Sequence, residues 1–188
     1  MSYFLALSGS PIKFSKSGFL LRNIGGILEK RGLEFQAIHA SDLPPDEPDT
    51  RRIATQFVAD AAEQIKHASA IVIVTPTTKE SSPTLLNSLL DRIPDNAFER
   101  KPILIFATGG LPGHVAVLEH ALKQTFLRLG TKIVAARVHV GTGGWVIVGD
   151  DRPRLARGAE REIAHAIDLV LRVTQPEGFK EESLQLAR

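Results

Sequence analysis

The sequence predicts an α/β fold, a three-layer sandwich in which a five-stranded parallel sheet of order 2-1-3-4-5 carries helices on both faces. Three observations predict it. Short unbroken apolar runs alternate with stretches of helical periodicity, the pattern of βαβ units. The clearest strand-like run, Ile71-Val72-Ile73-Val74, does not alternate apolar with polar, as expected of a parallel strand covered on both sides. A length of 188 residues suits this open sheet better than a closed eight-stranded barrel.

The elements follow in order. Tyr3-Phe4-Leu5-Ala6-Leu7 is a buried strand, closed by Ser8-Gly9-Ser10-Pro11, a run that no helix tolerates. Residues 17–31 read as a helix, with Phe19, Leu20, Ile24, Ile27 and Leu28 at helical spacing and Lys30-Arg31-Gly32 as its stop. Gly25 and Gly26 inside it cost about 1 kcal/mol each relative to Ala, which predicts a close packing contact there. Glu34-Phe35-Gln36-Ala37-Ile38 alternates and reads as the second strand. Residues 41–49, with Pro44, Pro45 and Pro48, form an irregular connection. Residues 50–67 make a helix with Ile53, Phe57, Val58, Ala61 and Ile65 on one side, and Ile71-Val72-Ile73-Val74 is the third strand. Residues 83–92 are helical, with Pro83 fitted to the first turn. A strand over 103–107, a helix over 115–129 stopped by Gly130, a strand over 132–140 and a helix over 154–173 complete the pattern. Glycine-rich residues 139–148 lead into apolar, strand-like sequence and read as a hairpin rather than a nucleotide loop. The expected organisation is one domain over residues 1–175 and a polar tail over 176–188.

Composition narrows the function. Hydrophobic residues make up 43% and charged residues 23%, values of a soluble globular chain. No apolar run approaches the roughly 18 residues needed to cross a bilayer. Residues 1–10 have no basic start of the kind a secretory signal needs, so the expected location is the cytoplasm. With no Cys, disulfides, Cys-bound metal clusters and thiol nucleophiles are excluded. A net charge of +2 gives no argument for nucleic acid. His114 and His120 are off the four-residue spacing that puts two metal ligands on one helical face, and no G-x-S-x-G elbow of a hydrolase exists.

In open parallel sheets ligands sit beyond the carboxyl ends of the strands, near the switch point. Three loops are nominated. The first, residues 8–17, offers Ser10, Ser15, Lys13, Lys16 and Ser17 ahead of a helix start. Hydroxyls, ammonium groups and free helix N–H groups suit a phosphate dianion; the alternative is a polar loop with Ser17 as helix N-cap. The second, residues 75–83, brings Pro76, Thr77, Thr78 and Lys79 to the end of the third strand, where backbone groups could meet a planar ring edge; otherwise it is a strand-to-helix turn. The third contains Thr108, Gly109 and Gly110, whose paired glycines admit close backbone approach to a ligand or simply serve the turn.

The order Gly9-Ser10-Pro11, Ser15-Lys16-Ser17, Thr75-Pro76-x-x-Lys79, Leu89-Leu90-Asp91-x-x-Pro94 and Ala107-Thr108-Gly109-Gly110 resembles the NAD(P)H-dependent FMN reductases. It is most similar to the SsuE-type reductases of sulfonate monooxygenase systems, over about residues 3–132. The resemblance implies a flavodoxin-like fold and hydride transfer from NADPH or NADH to the N5 of FMN. It places the FMN phosphate at Ser10, Ser15, Lys16 and Ser17, and the flavin ring at Pro76, Thr77, Thr78, Lys79, Thr108, Gly109 and Gly110. It also implies a flavin-dependent monooxygenase as consumer of the reduced flavin, and a homodimer or homotetramer. The chain departs from the family pattern at Ile12, where an Arg is frequent. It departs again at Thr78 and at Ser82-Pro83-Thr84, where the family carries Tyr. Fewer ring contacts suit an FMN that dissociates as a substrate. A flavoprotein that retains FMN and reduces quinones, azo dyes or metal oxyanions is the alternative, and a non-catalytic flavodoxin-like relative is a third reading.

Overall fold

The computed structural model describes residues 3–45, 47–77, 84–110, 113–148 and 152–174. Its five-stranded sheet runs β2-β1-β3-β4-β5, all strands parallel, as the apolar pattern predicts. The strands are β1 (Tyr3–Ser8), β2 (Glu34–His39), β3 (Ala68–Pro76), β4 (Ile103–Thr108) and β5 (Val134–Val140). The helices are α1 (Lys16–Glu29), α2 (Arg51–His67), α3 (Thr84–Leu90), α4 (His114–Arg128) and α5 (Arg157–Thr174). Among the described residues no helix is long and apolar enough to cross a membrane.

β1, β3 and β4 are largely apolar because each face of the sheet has its own helical cover, whereas the edge strands β2 and β5 carry polar residues and are only partly buried. Leu5 and Leu7 of β1 pack with Ile65 of α2, Leu86 of α3 and Leu122 of α4, while Phe4 and Ala6 pack with Leu20 and Ile24 of α1 and Ile167 of α5. Every residue of β1 and of β4 is buried. Fully burying one Leu or Ile contributes about 1.5–3 kcal/mol, so these central strands carry much of the hydrophobic stabilisation. β1 lies between β2 and β3, so the chain leaves β1 in one direction and returns to its other side. The switch point therefore falls beyond Ser8 and Pro76.

Three local features differ from the sequence reading. The N-cap of α1 is Ser15 rather than Ser17: its backbone is extended and its Oγ accepts from Gly18 N–H. Ser15 wins because its hydroxyl is three residues ahead of an unbonded helix N–H, whereas Ser17 already lies in the first turn and is buried. Thr142, Gly143 and Gly144 form a short 3-10 turn, and the hairpin follows it, with β6 (Trp145–Val148) antiparallel to β7 (Arg152–Leu155). Arg152 and Arg154 thus belong to a strand, and the last helix starts at Arg157. Of the glycine pair in α1, Gly25 makes the expected contact, where an added Cβ would lie 2.8 Å from the Phe35 ring, and Gly26 has nothing within 4 Å.

Candidate functional site

The first loop leaves the sheet at Gly9, whose N–H donates to Val74 O at 2.9 Å. A Cβ there would come within 2.9 Å of Thr75 Oγ1 and 3.1 Å of Leu86 Cβ, so the close approach of β1 to β3 requires glycine. Beyond it, a relay of hydroxyls fixes the loop. Ser10 Oγ donates to Ile12 O at 2.9 Å, and lies 2.8 Å from Ser15 Oγ, which accepts from Gly18 N–H at 3.2 Å. Each hydroxyl has one proton. With Ser10 donating to Ile12, Ser15 must donate to Ser10, and both protons are committed within the protein. Gly18 then packs so closely under the loop that a Cβ would lie 1.8 Å from Lys13 O.

The cations of this loop divide. Lys13 is drawn away to Asp42, 2.8 Å from its Nζ, whereas Lys16 is exposed at the start of α1. Phe14 turns out to solvent, and the Arg22 guanidinium stacks over it at 5.6 Å and over Phe19 at 4.5 Å. His39, at the end of β2 and in register with Ser8, is held below its ordinary pKa by burial first and by the Lys13 charge second, with Asp42 opposing. Ser8 Oγ and His39 Nδ1 are buried without a hydrogen-bond partner.

The second and third loops are stitched together and to the first. Thr77 N–H donates to Thr108 O at 2.8 Å, and its Oγ1 donates to Gly109 O at 2.6 Å. Ser17 Oγ and Thr108 Oγ1 share a buried hydrogen bond of 2.7 Å across 91 residues of sequence. Gly109 and Gly110 have φ of +78° and +62°, a region that side chains rarely adopt. A Cβ at Gly110 would also meet His114 Nδ1 at 2.5 Å and Thr77 O at 2.8 Å. Glycine is needed here for both space and conformation.

The structure therefore brings Ser10, Ser15, Ser17, Thr77, Thr108, Gly109 and Gly110 to one end of the sheet, with Pro76 paired to Thr108 on the neighbouring strand and Lys16 at the rim. Thr78 and Lys79 lie outside the described residues. The Ser17 hydroxyl is spent on Thr108 rather than offered outward. Sequence reasoning missed His139, whose Nε2 lies 2.6 Å from Gly109 O. Its position near the carboxyl end of β5 was the signal that could have found it. His120 belongs elsewhere, in a groove of about 380 Å³ between α4 and β5 lined by Lys123, Phe126, Leu127 and Lys132 among others. Among the described residues no group of three or more His, Asp or Glu could hold a metal ion.

This arrangement can hold an anionic group at a helix N-terminus and set a flat ligand against glycine backbone. The chain is 31% identical over 125 residues to an FMN reductase (NADPH) of Pseudomonas putida, covering 66% of this chain and 64% of that one. It is 38% identical over 125 residues to a protein of the same description from Pseudomonas aeruginosa, covering 65% and 67%. The match thus spans just under two thirds of the Pseudomonas putida relative's length. In fold, the chain superposes on an apo NADH:FMN oxidoreductase with a TM-score of 0.71 at 24% identity, over 98% of this chain and 99% of that one. It also superposes on a Streptococcus pneumonia flavodoxin with a TM-score of 0.58 at 9% identity, over 91% and 98%, so the fold is flavodoxin-like. Residues 3–144 match the sequence model described as NADPH-dependent FMN reductase, and with the motif-bearing loops assembled at one end of the sheet, the chain belongs to that family.

Proposed function

We propose that the chain is an NAD(P)H-dependent FMN reductase that releases reduced flavin as a product. One observation carries the reading: the loops after β1, β3 and β4 are locked to one another by the Ser17–Thr108 and Thr77–Gly109 hydrogen bonds. That locking preforms a frame at the switch point and holds the glycine turn at positive φ. The residues present fit FMN. An anionic phosphate meets the first-turn N–H groups of Lys16 and Ser17, the N-terminal end of the α1 dipole and the exposed Lys16 ammonium. The Ser10 and Ser15 hydroxyls can turn outward only by giving up their own relay, so their first role is to hold the loop in shape.

When bound, FMN supplies the hydride chemistry, taking the hydride at N5 from a stacked nicotinamide. The chain's part is placement and charge. Pro76 and Thr77 form one wall, with Thr78 and Lys79 assigned to the same loop by the family motif. The Thr108–Gly110 backbone forms another wall, where N–H groups can face the flavin edge on which negative charge grows. The missing loop tyrosines remove stacking surface, which favours an FMN that comes and goes over one that stays. The consumer of free reduced flavin would be a flavin-dependent monooxygenase, and a homo-oligomer would form through the α4 face.

The test is oxidation of NADPH and of NADH followed at 340 nm (a wavelength set by the nicotinamide) with and without added FMN. The expected result is turnover that saturates with added FMN in protein that is colourless after desalting. Protein that stays yellow and passes electrons to a quinone without added FMN would replace this reading with the retained-flavin one. A chain that neither binds FMN nor oxidises either nicotinamide would overturn it.

A further inference from the structure

Gly109 O accepts two short hydrogen bonds, from Thr77 Oγ1 at 2.6 Å and from His139 Nε2 at 2.6 Å. A carbonyl oxygen has two lone pairs, so this one is saturated from both sides. The consequence lies in the next atom pair. In a trans peptide the C=O and the following N–H point in opposite directions, and no cis peptide occurs among the described residues. Anchoring Gly109 O between Thr77 and His139 therefore aims the Gly110 N–H away from them. That N–H makes no hydrogen bond among the described residues. The peptide would otherwise be free to rotate, because both flanking residues are glycines with positive φ and glycine resists neither rotation.

We infer that His139 is a positioning residue: it donates from Nε2–H to Gly109 O, and this clasp, shared with Thr77, orients the Gly110 N–H as a preformed donor for the electron-rich edge of the bound ligand. A ring nitrogen facing a carbonyl oxygen must carry the proton, so the geometry also assigns the tautomer: Nε2 is protonated. Gly141 leaves the ring its space, since a Cβ there would lie 3.1 Å from His139 Cε1. Thr77 alone could not do this, because a single bond leaves the peptide a hinge about that oxygen. The ligand assignment rests on the FMN reading above; the tautomer and the clasp do not.

The test uses the whole chain in two measurements. Ring nitrogen shifts of 15N-labelled ligand-free protein report the tautomer, with Nε2–H expected. FMN is then titrated against the intrinsic fluorescence of Trp145 for wild type, His139→Phe and His139→Gln, with thermal melting as a folding control. Removing the donor should weaken FMN binding about tenfold with melting little changed, and the Gln amide should recover most of it. Ligand-free protein with the proton on Nδ1 would overturn the inference, as would a His139→Phe chain that binds FMN as wild type does. The failure of the FMN reading has a different signature: wild type that is never saturated by FMN while its His139 still carries the Nε2 proton. In that case the positioning role falls with the reading, and the clasp stands as a device of the turn alone.

Discussion

A methyl group added at Gly18 would sit 1.8 Å from Lys13 O, with Lys13 C at 2.8 Å, and both obstacles are backbone, which cannot swing aside. Gly18→Ala is expected to destabilise the chain by about 3 kcal/mol or more, measured by urea unfolding. Gly26 is in the same helix with nothing within 4 Å of its would-be Cβ. Gly26→Ala should stabilise the chain by about 0.5–1 kcal/mol in the same assay, through helix propensity alone. The sequence shows two identical glycine letters in each case; only the neighbours decide the sign. His39 is a second case at this scale. Its folded-state pKa lies below the ordinary 6.5 because burial and Lys13 disfavour the imidazolium. The unfolded chain therefore takes up the proton more readily, so His39's contribution is fully present above about pH 6.5 and is lost as the pH falls through its lower folded value. Melting temperatures between pH 7.5 and 5 should fall less steeply in His39→Gln than in wild type, and equal slopes would refute this.

At the scale of elements, the frame is held by few contacts that bridge long separations. Ser17, at the start of α1, and Thr108, at the end of β4, are both buried and share a 2.7 Å hydrogen bond. Ser17→Ala leaves Thr108 Oγ1 unpaired and should cost about 1–3 kcal/mol. Adding Thr108→Val removes the orphan, so the double variant should lose less than the sum of the two single losses, a coupling that chemical denaturation reads directly. Arg128 ties other elements: its Nη1 donates to Ile93 O at 2.8 Å and to Asp95 Oδ1 at 2.7 Å, and its Nη2 donates to Leu90 O at 2.6 Å. The fork closes the carboxyl end of α3, where carbonyls lack helical partners. Arg128→Lys keeps the charge but not the fork, so thermal melting should show a loss of about 1–2 kcal/mol, close to that of Arg128→Ala. Helices and strands were legible because apolar spacing reports burial, which is local in sequence. The Ser17–Thr108 bond, the Arg128 fork and the His139 clasp were not, because each joins polar groups whose sequence separation hides their proximity. Reading Ser17 as a helix cap failed for this reason: its hydroxyl had a distant partner.

For the whole molecule, the order 2-1-3-4-5 was readable from alternation and length, and the loops that the switch-point rule nominated meet at one end of the sheet. The rule could not say which polar groups face outward and which are consumed in holding the loops together. Ser10 and Ser15 illustrate it, since their side chains are a phosphate signature in sequence and a closed relay in structure. Outside the frame, α4 exposes Val117 at 66% and Leu127 at 58% beside the groove that holds His120. If the proposed assembly uses this face, Leu127→Glu should lower the mass found by light scattering toward that of one chain, without loss of helical signal. A wild-type mass already equal to one chain would rule the assembly out.

The placement of β1 at the middle of the sheet has a kinetic corollary. Its apolar residues pair with β2 about thirty positions later and with β3, where Ser8 meets Val74. A ribosome-bound chain must therefore expose β1 until β3 has been synthesised, and closure depends on long loops rather than neighbouring turns. Early synthesis is thus the interval when this polypeptide is most exposed to self-association, and when a chaperone would have the most to shield.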